Sequence, residues 1–200
     1  MMKILAAGDI HGDLIQLTNL INRGKSENVD ALILCGDLSL LNNPIDNLLN
    51  EIKKSDLNIF IIPGNHEDSL TFEYIKSLGI KHLHSESTII DDVGLFGCGF
   101  ANCGMSMLTE NQIFNYLNEA HNGISHLNKK IMITHVHPSE SKMENFSSFV
   151  KGSLGVRRAI SELKPDFLLC SHIHEAEGIE EKIEETSVIN VGKNGKIIEF

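Results

Sequence analysis

The sequence has no apolar run long enough to cross a membrane, and it has few positive charges for its size. A membrane helix needs about 18 consecutive apolar residues. Residues 1–5 lead directly into a strand-like run, whereas a signal peptide would continue into an apolar core. The 200 residues include 17 basic and 27 acidic side chains, which gives a net charge of −10. Since binding to long nucleic acids depends on lysine and arginine, stable nucleic-acid binding is not expected. We expect a cytoplasmic protein that binds neither membranes nor long nucleic acids.

Cysteine pairs suited to a disulfide or a cysteine metal site are also missing. The four cysteines, at positions 35, 98, 103 and 170, show no Cys-x-x-Cys spacing. Cys35 and Cys170 close apolar runs, where a free thiol acts as a small hydrophobic side chain. The sequence has no repeat, linker or low-complexity segment, and a chain of this length can build one well-packed core. We therefore predict a single domain over residues 1–200.

Short apolar runs alternate with amphipathic segments in the first part of the chain. The runs predict strands at 3–8, 29–35 and 58–62, and apolar residues at helical spacing predict helices at 13–25, 44–54 and 70–78. Strands that alternate with helices pair in parallel through right-handed crossovers. This half of the sequence therefore predicts a parallel sheet covered by helices.

The pattern changes after residue 80. Strands at 87–91 and 94–98 predict a hairpin, and they are followed by a helix at 109–120 with a capping box of Thr109 and Gln112. A strand at 130–134, a helix at 154–163 and a strand at 166–170 come next. Segments 187–191 and 196–200 predict a closing hairpin that turns at residues 193–195, because Asn-Gly favours such turns. A second, partly antiparallel sheet is expected, while residues 98–108 fit no clear element.

Side chains that commonly bind metals recur at the ends of the apolar runs. The clusters are Asp9-Ile10-His11, Gly36-Asp37, Gly64-Asn65-His66-Glu67, His135 and His172-Ile173-His174. Each one alone has a simpler explanation, such as a turn, a helix cap or a hydrogen-bonded histidine. Because the carboxyl ends of parallel strands meet at one edge of a sheet, the clusters together predict a two-metal site.

The order of these clusters resembles the calcineurin-like metallophosphoesterases, whose motifs are D-x-H, G-D, G-N-H-[E/D], a later H and G-H-x-H. The match extends from Asp9 to His174. Residues 171–178 also resemble small phosphoesterases related to cyclic-nucleotide phosphodiesterases. The resemblance implies an α/β fold, a four-layer α/β/β/α sandwich of two mixed sheets flanked by helices.

The resemblance also implies a role for each motif residue. The implied ligands are Asp9, His11 and His174 for one divalent ion and Asn65, His135 and His172 for the other, with Asp37 as the bridge. His66 would be the general acid that protonates the leaving oxygen, after in-line attack by a metal-bridging hydroxide. Mixed nitrogen and oxygen ligands suit Mn, Fe, Zn or Ni, and the sequence does not select among them.

Departures from the motifs bear on the substrate. Ser171 replaces a usual glycine, which places a Cβ at a tight turn beside His172. Residues 36–40 lack the Gly-Asp-x-x-Asp-Arg of protein phosphatases, and without an arginine clamp a small or nucleotide-like phosphodiester is favoured over a phosphoprotein. His137 and Arg157 are candidate substrate contacts; the alternatives are a solvent-facing loop for His137 and a solvated helix start for Arg157.

Two other functions fit parts of this pattern. A non-catalytic metal-binding module that acts through protein contacts could share the fold, but the sequence keeps His66 and every implied ligand. A DNA-processing nuclease is disfavoured by the acidic net charge and by the lack of a second, DNA-capping domain. A phosphoesterase that acts on a small phosphate ester is therefore the predicted function.

Overall fold

The computed structural model describes residues 1–40 and 44–200, and it confirms the four-layer fold. The first sheet has the strand order β10-β1-β2-β3. Its strands are β1 (Lys3–Ala7), β2 (Ala31–Cys35) and β3 (Ile59–Ile62), which are parallel, and β10 (Lys196–Glu199), which is antiparallel to β1. Helices α1 (Leu14–Ser26) and α2 (Asp46–Lys54) connect the parallel strands, and α3 (Ser69–Ser77) follows β3. This is the parallel sheet that the sequence predicts.

The second sheet has the strand order β4-β5-β6-β7-β9-β8. Its strands are β4 (Ser87–Ile90), β5 (Val93–Cys98), β6 (Lys129–Thr134), β7 (Phe167–Cys170), β8 (Glu180–Ile183) and β9 (Thr186–Asn190). The pairs β4–β5 and β8–β9 are antiparallel, and the other neighbours are parallel. Helices α4 (Glu110–Asn122) and α5 (Leu154–Leu163) connect the parallel strands, and 3₁₀ helices occupy Lys142–Phe146 and His174–Ala176.

Side chains of the central strands alternate between two apolar layers. In β2, Leu32 and Leu34 pack with the residues of α1 and α2, whereas Ile33 joins a cluster shared with the second sheet. In β6, Met132 packs with α4 and α5, and Ile133 faces the first sheet. Successive strand residues point to opposite faces, so a sheet that is buried on both faces needs apolar residues at every position. These strands are therefore continuous apolar runs in the sequence.

The helices begin within two residues of the predicted positions. The Thr109 side chain accepts a hydrogen bond from the Gln112 backbone N–H at the start of α4, and the Gln112 side chain accepts one from the Thr109 backbone N–H, which confirms the capping box. Asp13 caps α1 by accepting from the Gln16 backbone N–H at 2.9 Å. Within residues 1–40 and 44–200, none of the helices has the length and apolar character needed to span a bilayer.

The predicted C-terminal hairpin is wrong. Strand β9 lies between β7 and β8 in the second sheet, whereas β10 pairs with β1 in the first. The turn at residues 193–195 therefore carries the chain from one sheet to the other. The antiparallel partner of β9 is β8, which contains Glu180, Glu181 and Lys182 and so lacks an apolar pattern. Charged residues are common in an edge strand, and the Asn-Gly signal specifies a turn without specifying which strands it joins.

Candidate metal centre

The predicted ligands meet where the strand ends of the two sheets adjoin. Asp9 and His11 follow β1, Asp37 follows β2 and Asn65 follows β3, while His135 follows β6 and His172 and His174 follow β7. The residues that follow strands of the first sheet contact those that follow strands of the second, because the His172 backbone N–H donates to Asp9 Oδ2 at 3.1 Å. The loops after β1 and β2 are joined by the Asp9 N–H, which donates to the Gly36 carbonyl at 3.1 Å. The structure thus brings all seven residues together.

One group of donor atoms surrounds His135 Nε2. Asn65 Oδ1 lies 2.8 Å from this nitrogen, His172 Nδ1 lies 3.1 Å away and Asp37 Oδ2 lies 3.4 Å away. Ligand atoms bound to one ion at about 2.0–2.2 Å are themselves about 3 Å apart. The spacing of these atoms therefore fits a divalent metal ion at their centre.

A second group contains Asp9, His11 and His174. His11 Nε2 lies 3.1 Å from His174 Nε2, and His174 Nε2 lies 3.8 Å from Asp9 Oδ1. Asp9 Oδ1 is buried and has no hydrogen-bond partner among the residues described, a costly state for a carboxylate oxygen. Asp37 Oδ2 lies 4.0 Å from His11 Nε2, so this carboxylate adjoins both groups. The donor set fits two divalent ions that share Asp37.

The centre attracts positive charge. Burial disfavours the charged form of Asp37, but His135 and the backbone N–H of His66 outweigh burial and hold the pKa of Asp37 well below its usual range. Burial also opposes a charged His135, yet Asp37 raises the pKa of His135 to about 9. Burial and the neighbouring His135 lower the pKa of His172 to about 3. A metal ion and a proton compete for the same imidazole lone pair, so metal binding at His135 would release a proton.

Hydrogen bonds fix the orientation of His135. Its Nδ1–H donates to the Cys35 carbonyl at 2.8 Å, so Nε2 is the nitrogen that can bind a metal ion once its proton is released. The Ser171 hydroxyl donates to the same carbonyl at 2.9 Å. Gly36 has a φ of 91°, and a Cβ at this position would lie 2.6 Å from His135 Nδ1. A glycine at position 36 is thus needed for the imidazole to approach.

Candidate ligands occupy an unusual backbone conformation. Asp9, His11, Asp37 and His172 have φ values of 55°, 50°, 52° and 76°. Left-handed backbone at a residue other than glycine costs about 1–3 kcal/mol and persists only where surrounding contacts impose it. Here the His11 N–H donates to the Asp37 carbonyl at 2.9 Å, which holds both loops in place. This concentration of strain is typical of a functional site.

Glu67, the last residue of the G-N-H-E motif, is buried beside the centre. Its carboxylate accepts hydrogen bonds from the backbone N–H groups of Gly64 at 2.7 Å, Ser39 at 2.8 Å and Asp37 at 3.1 Å. It therefore ties the loop after β2 to the loop after β3. The G-N-H-E motif is the only signal that points to it. Asp68, which follows, caps α3 by accepting from the Thr71 N–H at 2.7 Å.

Cys103 is a residue near the centre that the sequence analysis did not identify. Its Sγ lies 3.6 Å from His172 Nε2, on the side of the ring opposite the donor group. With Nδ1 facing the centre, Nε2–H can donate to the sulfur and so fix the tautomer of His172. The adjacent Gly104 packs against Asn65, which a Cβ at position 104 would approach to 2.7 Å. The other cysteines, Cys35, Cys98 and Cys170, are buried, and all four are free, as predicted.

The two candidate substrate contacts lie in different settings. His137 is completely buried, so a solvent-facing loop position is wrong. Neither ring nitrogen of His137 has a hydrogen-bond partner among the residues described, and burial lowers the pKa of His137 to about 4. Arg157 lies in the first turn of α5, where its backbone N–H bonds to the Ser153 carbonyl. Substrate binding by either residue stays a prediction.

Ser171 is accommodated by Gly8. A Cβ at position 8 would lie 2.4 Å from Ser171 Oγ and 2.6 Å from Ser171 Cβ, which is too close for any side chain. The left-handed φ at this turn falls on His172, so Ser171 itself needs no special backbone. The serine at the usual glycine position thus depends on a glycine in the opposite sheet.

The contact between Gly8 and Ser171 can be tested by measuring the stability of variants at these two positions. We expect Gly8→Ala to lower the free energy of unfolding by about 1–3 kcal/mol, because the added methyl overpacks a filled site. Adding Ser171→Gly to the same chain should restore most of the loss. Urea denaturation of the two single variants and the double variant measures the coupling. Equal midpoints for Gly8→Ala and the double variant would show that this contact is not the cause.

The sequence as a whole matches a known family. The model of the calcineurin-like phosphoesterases matches residues 2–176. The chain therefore belongs to the calcineurin-like phosphoesterase family. It is a metallophosphoesterase, a hydrolase of phosphate esters whose family uses divalent metals. No curated relative matches the chain significantly.

Solved structures share the fold at low sequence identity. The protein TT1561 of Thermus thermophilus has a TM-score of 0.78 at 19% identity, with 96% of this chain and 90% of that chain covered. A dimetal phosphatase from Danio rerio has a TM-score of 0.68 at 10% identity, with 96% and 87% covered. A novel archaeal phosphodiesterase has a TM-score of 0.55 at 21% identity, with 96% and 84% covered. These likenesses support the α/β architecture of two mixed sheets.

Proposed function

We propose that the protein is a phosphodiesterase with two divalent metal ions, which acts on a small or nucleotide-like phosphate ester. The observation that carries the proposal is the pair of donor groups that share Asp37. His135 Nε2 lies 3.4 Å from Asp37 Oδ2 on one side, and His11 Nε2 lies 4.0 Å from it on the other. When bound, the ions supply positive charge for the phosphate and activate a water molecule between them.

The neutral ligands keep the centre cationic. Asp9 and Asp37 are the only carboxylates among the seven proposed ligands, so two divalent ions outweigh the negative charge of the protein there. A cage made entirely of carboxylates would instead repel an anionic ester. Imidazole and amide ligands thus allow an acidic protein to attract phosphate.

His66 is the proposed proton donor. Its Nε2 lies 3.8 Å from Asp37 Oδ2, and its backbone N–H donates to Asp37 Oδ1 at 2.9 Å, which fixes its position beside the centre. His66, His11 and Asp37 are also close enough to hold an ion by themselves. We assign His66 to proton donation because His11 and Asp37 each belong to a fuller donor group, and because His66 borders an open cleft.

Space on both sides of the centre favours a diester. A cleft of about 360 Å³ opens beside His66, and a second of about 240 Å³ opens beside Asp9, His11 and His174. A diester has two ester groups that both need room beside the centre, whereas a monoester has one. Among the described residues no arginine lines either cleft, so the clamp that would favour a phosphate dianion is missing there.

The test is hydrolysis of a model diester by the metal-loaded protein. Protein loaded with Mn²⁺ should bind two ions per chain, measured by elemental analysis, and should cleave bis(p-nitrophenyl) phosphate with a higher kcat/KM than p-nitrophenyl phosphate. The lack of activity with Mn²⁺, Fe²⁺, Zn²⁺ and Ni²⁺ at full occupancy would refute the proposal. The single domain and the cytoplasmic location remain predictions.

A further inference from the structure

The cleft beside His66 has an exposed apolar wall. It runs along α3, and the residues that line it include Leu70, Tyr74 and Met105. These side chains are 80%, 43% and 50% exposed, which is high for large apolar groups. Apolar side chains grouped around a cavity beside a reactive centre are typical of ligand-binding surfaces. We call this space the His66 cleft.

Among the described residues, the charged side chains that line the His66 cleft are acidic. Asp46 and Asp68 line it, and among the described residues neither lysine nor arginine does. The sequence has no basic residue between positions 27 and 52, so the loop after β2 adds none. Asp46 accepts a hydrogen bond from the Tyr74 hydroxyl at 2.7 Å, which sets a carboxylate beside the aromatic ring. These carboxylates therefore disfavour any further negative charge on a group that enters the cleft.

The position of His66 determines which part of the substrate enters this cleft. A general acid must lie within hydrogen-bond reach of the oxygen that departs, so the leaving group must lie on the His66 side of phosphorus. In an in-line displacement the attacking oxygen lies opposite the leaving group, so the retained ester group projects sideways from phosphorus, where the cleft beside Asp9, His11 and His174 offers it space. This step rests on the proposed function.

We propose that the His66 cleft selects the leaving group of the ester, and that it favours an uncharged alcohol carrying a planar ring, such as a phenol or a nucleoside. The exposed ring of Tyr74 provides a face for stacking. The carboxylates of Asp46 and Asp68 disfavour a leaving group with further negative charge, such as a nucleotide with a phosphate chain.

A matched pair of substrates tests the charge selection. Methyl 4-carbamoylphenyl phosphate and methyl 4-carboxyphenyl phosphate have leaving groups of similar size, one neutral and one anionic. Asp46→Asn keeps an acceptor for the Tyr74 hydroxyl while it removes one charge. We expect this variant to lower the ratio of kcat/KM for the neutral over the anionic ester by about threefold. Comparing variants cancels the different reactivity of the two leaving groups. Asp92→Asn, in the turn before β5, is the control for net charge and should leave the ratio unchanged.

A second pair of variants tests the aromatic wall. Tyr74→Ala should raise KM for the carbamoylphenyl ester by about two- to tenfold with a smaller change in kcat, whereas Tyr74→Phe should retain most of the affinity. Two results would overturn this inference alone. One is the same ratio of kcat/KM for the two esters in the parent protein, Asp46→Asn and Asp92→Asn. The other is an unchanged KM in Tyr74→Ala. Hydrolysis of bis(p-nitrophenyl) phosphate but of neither methyl ester would also overturn this inference alone, whereas hydrolysis of none of the three esters by the metal-loaded protein would refute the proposed function and this inference with it.

Discussion

Asp37→Asn is expected to lower kcat by about a thousandfold and to cost the protein at least one of the two proposed metal ions. Asp37 Oδ2 lies 3.4 Å from His135 Nε2 and 4.0 Å from His11 Nε2, so it adjoins both donor groups. Asparagine has nearly the same shape and can still accept from the His66 N–H. It lacks the negative charge, and it would direct an amide toward a metal ion. Elemental analysis and steady-state kinetics on bis(p-nitrophenyl) phosphate measure the two effects.

The matched control for this substitution is Asp30→Asn. Asp30 is exposed before β2, and its carboxylate accepts from the Lys3 backbone N–H at 2.7 Å. The same chemical change there should leave the metal content and kcat unaltered. An Asp37→Asn protein with two ions per chain and full activity would contradict the bridging role.

His66→Ala is expected to lower kcat by about 10²–10⁴-fold while both of the proposed metal ions stay bound. The physical reason is the loss of a proton donor, and so the effect should depend on the leaving group. A nitrophenolate departs readily without protonation, whereas an alkoxide does not. We therefore expect a much smaller loss of kcat with bis(p-nitrophenyl) phosphate than with a phosphodiester whose leaving group is an alkyl alcohol. For each substrate the loss is measured as the ratio of kcat in the parent protein to kcat in the variant.

His126→Ala provides the comparison, because His126 is exposed in the turn after α4 and lies outside every donor group. It should match the parent protein in both assays. Loss of a metal ion from His66→Ala, measured by elemental analysis, would instead make His66 a ligand. An equal loss of kcat for good and poor leaving groups would exclude it as the general acid.

The local parts of the fold and the parallel pairing of β1 to β3 could be predicted from the sequence, whereas the partners of β8, β9 and β10 could not. Apolar runs and helical spacing are local properties, so β1 to β3 and the capping box of α4 are found where they are predicted. The choice of partner for β9 and β10 depends on which sheet has a free edge. No local pattern contains that information, and the charged strand β8 shows no apolar signal at all.

The candidate site shows the same division. The motif order places the seven proposed ligands at strand ends, and the topology of the sheets then brings them together. The contacts that orient the ligands join residues that are distant in the sequence. Cys103 contacts His172, 69 positions away, and Glu67 accepts a hydrogen bond from the loop after β2, 30 positions away. No local sequence pattern indicates such contacts, because they depend on how the folded backbone brings distant residues together. The fit of Ser171 against Gly8 likewise depends on two sheets meeting.

The division of the ligands between the sheets has a mechanical consequence. Asp9, His11, Asp37 and Asn65 belong to loops of the first sheet, and His135, His172 and His174 belong to loops of the second. Two ions bound among them would cross-link layers that are otherwise joined mainly by apolar packing. Any ligand that binds only the folded chain adds its binding free energy to stability. The ions proposed to act on phosphate would therefore also hold the two sheets together. Their removal by a chelator should weaken the contact between the sheets before it affects the structure of either sheet.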